Sequence, residues 1–265
     1  MARWIIRLCL SAGVLASLGT PPSAAEQVLS IPSRPGVTEN VLIIRPPAAP
    51  AASVVLFVGG PGKAGLKMPW QPGHRGGNFL FRSADRFVQN GLLVAVIDAP
   101  SDHADGLWDW RTGAEHAADI AALIAALRAE AKAPVWLIGT SMGTLSAANA
   151  AARLKTGGPD GIVLTSSVTE STRRSEETVR TVRLEDIAVP VLIVHHEHDG
   201  CRASTYAGAE ALMDRLTHSP KRQFMAFDGG DPPRSDPCEA FAQHGYLGIE
   251  NKVVDAIAAW IKAAR

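Results

Sequence analysis

Continuous apolar runs rich in β-branched residues recur along this chain, with segments of helical spacing among them. The runs are Val54–Val58, Leu92–Ile97, Val135–Ile138, Ile162–Thr165, Val191–His195 and Gln223–Phe227. The helical segments are Ala84–Asn90, Ala114–Glu130, Leu145–Leu154, Ser204–Leu216 and Asn251–Ala264. A strand that is apolar on both faces must be covered on both faces. Only a mostly parallel sheet flanked by helices provides that cover. Two further runs near the start, Val28–Ile31 and Val41–Ile44, suit antiparallel edge strands. The expected class is therefore α/β, with ligands bound at the carboxyl ends of the strands.

Composition removes other classes. There are 26 basic and 26 acidic residues in 265, which excludes a strongly basic nucleic-acid binder. With 46% hydrophobic and 20% charged residues the chain is not a disordered one. Three cysteines are too few for a disulfide scaffold or a multi-cysteine zinc protein.

Residues 1–25 read as a secretory signal. Arg3 and Arg7 supply the positive start, Leu8–Leu18 the apolar stretch, and Ser23-Ala24-Ala25 the small residues before a cut after Ala25. The apolar stretch is too short for a membrane span, so no stable membrane insertion is expected. Cleavage would leave residues 26–265 as one domain, in the periplasm or outside the cell. That mature chain lacks Arg3 and Arg7, which leaves 24 basic against 26 acidic residues. It also lacks Cys9, so Cys201 and Cys238 remain as a pair, and an even pair in an exported protein reads as a disulfide.

The run Val135–Ile138 leads into Gly139-Thr140-Ser141-Met142-Gly143, followed by a helix of small residues. Gly-x-Ser-x-Gly between a strand and a helix is the pattern of a nucleophile elbow. The serine hydroxyl is exposed on a tight turn, and the glycines keep side chains out of the crowded strand–helix junction. A serine becomes a nucleophile when a histidine takes its proton and an acid orients that histidine. The run ending in His195-His196-Glu197-His198-Asp199 supplies the acid: Asp199 is the choice and Glu197 the rival. His244, in a loop just before the last amphipathic helix, is the candidate base. His116 and His218 lie on or near helices, while His74 and His103 sit in loops that precede the serine. An oxyanion needs backbone N–H donors. Met142 offers one, and the turn Gly59-Gly60-Pro61-Gly62 offers another. Pro61 has no N–H, so the donor is Gly60 or Gly62, with Gly60 preferred.

Taken together, these features resemble the α/β-hydrolase superfamily over roughly Val28 to Ala264. The resemblance implies an eight-stranded, mostly parallel sheet with helices on both faces. It also implies catalysis by Ser141, Asp199 and His244 with no cofactor and no metal. The turn Gly59-Gly60-Pro61-Gly62 resembles that of the proline iminopeptidases. Those enzymes carry a large helical cap after the sixth strand, whereas here a short polar span, Ser171 to Val191, argues for an open site.

The function expected on these grounds is a serine hydrolase that cleaves a carboxylic ester through an acyl-enzyme on Ser141. Its substrate would be a small-molecule or carbohydrate-linked ester, with a segment rich in tryptophan and acids, Asp102–Arg111, available to grip it. The alternatives are a peptidase, amidase or thioesterase using the same residues, a non-catalytic binding protein, and a metal-dependent hydrolase using the His195–Asp199 run.

Overall fold

A computed structural model describes residues 25–66 and 69–264; the expected signal segment, apart from Ala25, lies outside the described residues. Eight strands form one sheet: β1 (Ala25–Arg34), β2 (Val37–Arg45), β3 (Ser53–Phe57), β4 (Leu93–Ile97), β5 (Val135–Thr140), β6 (Gly161–Thr165), β7 (Val191–His196) and β8 (Arg222–Phe227). Their order is β1-β2-β4-β3-β5-β6-β7-β8. The first two strands form a hairpin, and β2 meets β4 antiparallel. Every later pairing is parallel.

Six helices cover the sheet: α1 (Phe79–Arg82), α2 (Ala84–Gln89), α3 (Ala114–Ala131), α4 (Gly143–Arg153), α5 (Tyr206–Ala211) and α6 (Glu250–Ala263). Alternate strand residues face opposite layers. Val55, Phe57, Leu137 and Ile193 pack with Ile120, Leu127, Leu145 and Leu212 on one side. Val54, Leu56, Ile138 and Val194 pack with Phe79, Phe87, Val253 and Ile257 on the other. The central strands β3 to β7 are buried along their whole length, which is why they read as unbroken apolar runs.

Three elements differ in extent or presence from the sequence reading. The edge strand foreseen at Val28–Ile31 runs from Ala25 to Arg34. The helix foreseen over Ser204–Leu216 is α-helical only from Tyr206 to Ala211 and tightens to a 3-10 turn over Leu212–Arg215. Its start is set by Thr205, whose side-chain oxygen accepts from the Gly208 amide. Helix α1 was not foreseen; Asn78 caps it by accepting from the Leu80 amide. Among the described residues, no helix is long and apolar enough to cross a membrane.

Candidate active site

Ser141 falls between β5 and α4 with φ +54°, a left-handed conformation uncommon for a residue with a side chain. The neighbouring glycines are sterically required. A Cβ on Gly139 would lie 2.3 Å from the Gly143 carbonyl oxygen, and one on Gly143 would lie 2.2 Å from that of Phe57. The turn is tied down by the Ser141 amide, which donates to Thr165 O at 3.0 Å. It is also held by Thr144, whose amide and hydroxyl both donate to Ser141 O.

The carboxyl ends of β7 and β8 carry the partners. The Asp199 side chain is fully buried. Its Oδ1 accepts from the Cys201 amide at 2.9 Å, and its Oδ2 lies 2.8 Å from His244 Nδ1. Glu197, the rival acid, is exposed. His244 is held from behind: the Ser166 hydroxyl is 2.8 Å from its carbonyl oxygen and 3.1 Å from the Tyr246 hydroxyl, which donates to Val194 O. Burial pushes the Tyr246 phenol pKa up, so it stays a neutral donor. The Nε2 of His244 has no hydrogen-bond partner among the described residues, Ser141 Oγ included. Both residues line one cavity of about 740 Å³.

The glycine turn sits against the serine. A Cβ on Gly59 would be 2.9 Å from Ser141 Cβ and 3.5 Å from Ser141 Oγ. The Gly62 amide is already committed to Gly59 O at 3.2 Å. The Gly60 and Met142 amides have no partner among the described residues, and both residues line the cavity. Gly60 adopts φ +56°, which aligns the turn at little cost for a glycine.

Arg111 is the residue that sequence reasoning overlooked. It is 1% exposed, and its guanidinium donates to Val58 O at 3.3 Å, Gly60 O at 3.1 Å and Ser146 Oγ at 2.8 Å. It thus fastens the glycine turn from beneath. Burial lowers its pKa to about 10, still charged at neutral pH. On the sequence it was one residue of a polar loop. Its signal would have been a lone cation flanked by Trp108 and Trp110.

The Asp102–Arg111 segment divides. Trp108 lines the cavity. Trp110 does not: it stacks on His103 with ring centroids 4.0 Å apart and lies under the Arg34 guanidinium. The rest of the wall includes Phe79, Met142, Val168 and Phe241, with the exposed Arg173 and Arg174 from the span between β6 and β7. Cys201 and Cys238 are joined by a disulfide, with Cα atoms 4.5 Å apart, and both also line the cavity.

Within the His195–Asp199 run, His195 Nε2 lies 3.5 Å from Asp199 Oδ2, while the other side chains point elsewhere. His195 Nε2 points to Ser204 O, His196 Nε2 to Gly229 O, and His198 is exposed. Among the described residues, the one group of three or more metal-type donors lies elsewhere, at Glu39, His116 and Asp119.

No known protein family's sequence profile matches the chain, and no curated protein matches it. Solved structures do. A dienelactone hydrolase from Anabaena variabilis superposes with TM-score 0.62 at 15% identity, over 92% of this chain and 99% of its own. An esterase from Pyrococcus furiosus gives 0.65 at 12% identity, over 91% and 92%. An α/β serine hydrolase without lid from Xanthomonas campestris gives 0.56 at 16%, over 90% and 96%. Sheet order, elbow and these superpositions agree: the chain has the α/β-hydrolase fold.

Proposed function

We propose that the protein is an exported serine hydrolase that cleaves a small carboxylic ester. The observation that carries this reading is the His244–Asp199 contact, which leaves Nε2 of the ring unbonded in the cavity that Ser141 lines. His244 takes the Ser141 proton as Oγ attacks the ester carbonyl, and Asp199 fixes the ring with Nδ1–H toward it. The oxyanion receives the Gly60 and Met142 amides. Collapse expels the alcohol, which takes the proton back from His244 Nε2. Water then adds to the acyl-enzyme by the same steps, releasing the acid and free Ser141. Catalytic hydrogen bonds are often long before substrate binds, which accords with the unpaired Nε2.

The cavity wall of Phe79, Trp108, Met142, Val168 and Phe241 favours an ester with an apolar or aromatic part. Similarity to a dienelactone hydrolase and to esterases supports ester chemistry over amide chemistry. The disulfide supports export to an oxidising compartment.

Replacing Ser141 by Ala tests the reading. Turnover of p-nitrophenyl acetate and labelling by a fluorophosphonate probe should both vanish while the melting temperature holds. Retained turnover would overturn it. For export, N-terminal sequencing of the mature protein should begin at Glu26.

A further inference from the structure

Away from the active-site cavity, β2 and α3 enclose a cluster of ionisable side chains that catalysis does not use. Glu39 projects from β2; His116 and Asp119, three residues apart, share one face of α3. All three are at most 1% exposed. Each keeps one buried atom with no hydrogen-bond partner among the described residues: Glu39 Oε1, His116 Nδ1 and Asp119 Oδ2. Three buried polar atoms without partners each cost free energy unless something satisfies them.

We propose that Glu39, His116 and Asp119 form a binding site for one divalent transition-metal ion of the zinc type. One donor atom from each residue lies within 4.8 Å of the others. Points so spaced share a centre no more than about 2.8 Å (4.8/√3) from each, against about 2.0–2.2 Å for zinc bonded to imidazole or carboxylate, so sub-ångström shifts complete the site. One nitrogen and two carboxylate oxygens suit zinc or manganese better than calcium, which takes six or more oxygens.

Charge and tautomer agree with a cation. Three carboxylates, Glu39, Asp119 and Asp102, face one guanidinium, Arg34, which holds Asp119 Oδ1 at 2.8 Å and Asp102 at 2.9 Å. Counting Arg111 beside Ser146 as a second cation, the carboxylates still exceed the guanidinium groups by one. His103 Nδ1 lies 3.2 Å from Asp102, and the Arg111 guanidinium reaches the Ser146 hydroxyl that His116 also contacts. The His116 ring faces the cluster from α3. Its Nε2 lies 2.8 Å from Ser146 Oγ. With Nε2 protonated and donating there, Nδ1 carries the lone pair, as second-shell bonding fixes the tautomer in known sites. Ser146 in turn accepts from Arg111, which holds Gly60 O. A bound ion would therefore stiffen the layer beneath the glycine turn.

The test uses full-length mature protein stripped with chelator. It is given ZnCl2, MnCl2 or CaCl2, passed through gel filtration, and its metal counted per chain. Wild type should retain one zinc, and at a hundredfold excess over Kd its melting temperature should rise by about 5–10 °C. E39Q and H116Q should lose the zinc. Near-ultraviolet circular dichroism reports whether each variant keeps its fold. Failure of wild type to retain zinc or manganese overturns the site. Equal retention by folded E39Q and H116Q also overturns it, since the ion would then sit elsewhere, for example at the His195–Asp199 run. Neither result depends on Ser141.

Discussion

Removing the Cys201–Cys238 bridge with the double substitution C201A/C238A should lower stability by a calculable amount. The cross-link closes a loop with a sequence separation of 37 residues. The chain-entropy relation gives about 4 kcal/mol for that length, from restriction of the unfolded chain. For a chain this size each kcal/mol moves the melting temperature by about 2–4 °C, so a fall of about 8–15 °C is expected. The folded loop keeps bonds of its own. The Arg234 amide donates to Phe241 O, the Phe241 amide to Ser235 Oγ, and the Glu239 amide to Asp236 O. The Asp199 Oδ1 bond to the Cys201 amide is a backbone bond and survives. The Asp199–His244 geometry is therefore retained, while the cavity wall formed by Cys238, Glu239, Ala240 and Phe241 loosens. KM for p-nitrophenyl acetate should rise severalfold with kcat little changed. Thermal melts and steady-state kinetics on wild type and double variant decide the matter. A fall below about 3 °C with unchanged KM would refute the reasoning, because the bridge would then restrain neither the unfolded chain nor the wall.

Gly143→Ala should cost about 3 kcal/mol or more, because its Cβ would meet Phe57 O at 2.2 Å. Gly60→Ala, with open space at φ +56°, should cost only about 1–2 kcal/mol; denaturant melts compare them. Arg111→Met should cut kcat by roughly ten- to a hundredfold with KM nearly constant, since it frees the carbonyls that hold the glycine turn. Arg111→Lys should restore only part, because one ammonium cannot span both carbonyls and Ser146. In chelator, stability should fall as pH rises from about 4.5 towards 9: there the folded state holds the Glu39 proton more tightly than the unfolded state. Glu39→Gln should flatten that slope, which a single group limits to about 1.4 kcal/mol per pH unit. His116 acts at the other end. Its pKa is depressed in the fold, so stability should fall as pH drops from 6.5 towards 3, and His116→Gln should reduce that loss in melts across the range.

The sheet was legible because β3 to β7 are covered on both faces, which forces apolar runs that no exposed strand would carry. The serine turn was legible for a steric reason, since its glycines answer to backbone oxygens 2.2–2.3 Å from where a Cβ would sit. Asp199 and His244 could be singled out by position, one past a strand and one before the last helix. Arg111 could not be. Its role depends on β3 and the segment after residue 100 meeting in space, a contact with no local signature. His116 read as an ordinary helix residue, because a buried imidazole and an exposed one look alike in sequence. The break after Ala211 was hidden too. Ala209 and Leu212 keep the apolar spacing across the change from α to 3-10 geometry.

His244 and the cavity wall share one stretch of chain between β8 and α6, yet they are anchored from different sides. The histidine backbone is held by Ser166 and Tyr246 from within the sheet. The wall is held by the disulfide to the β7 loop. Ahead of both anchors, residues 232–234 and 236–237 are exposed. Sequence there can drift, or be exchanged by design, without disturbing the bonds that fix the histidine. The shape of the cavity wall can therefore change independently of the Asp199–His244 contact, through residues 232–237.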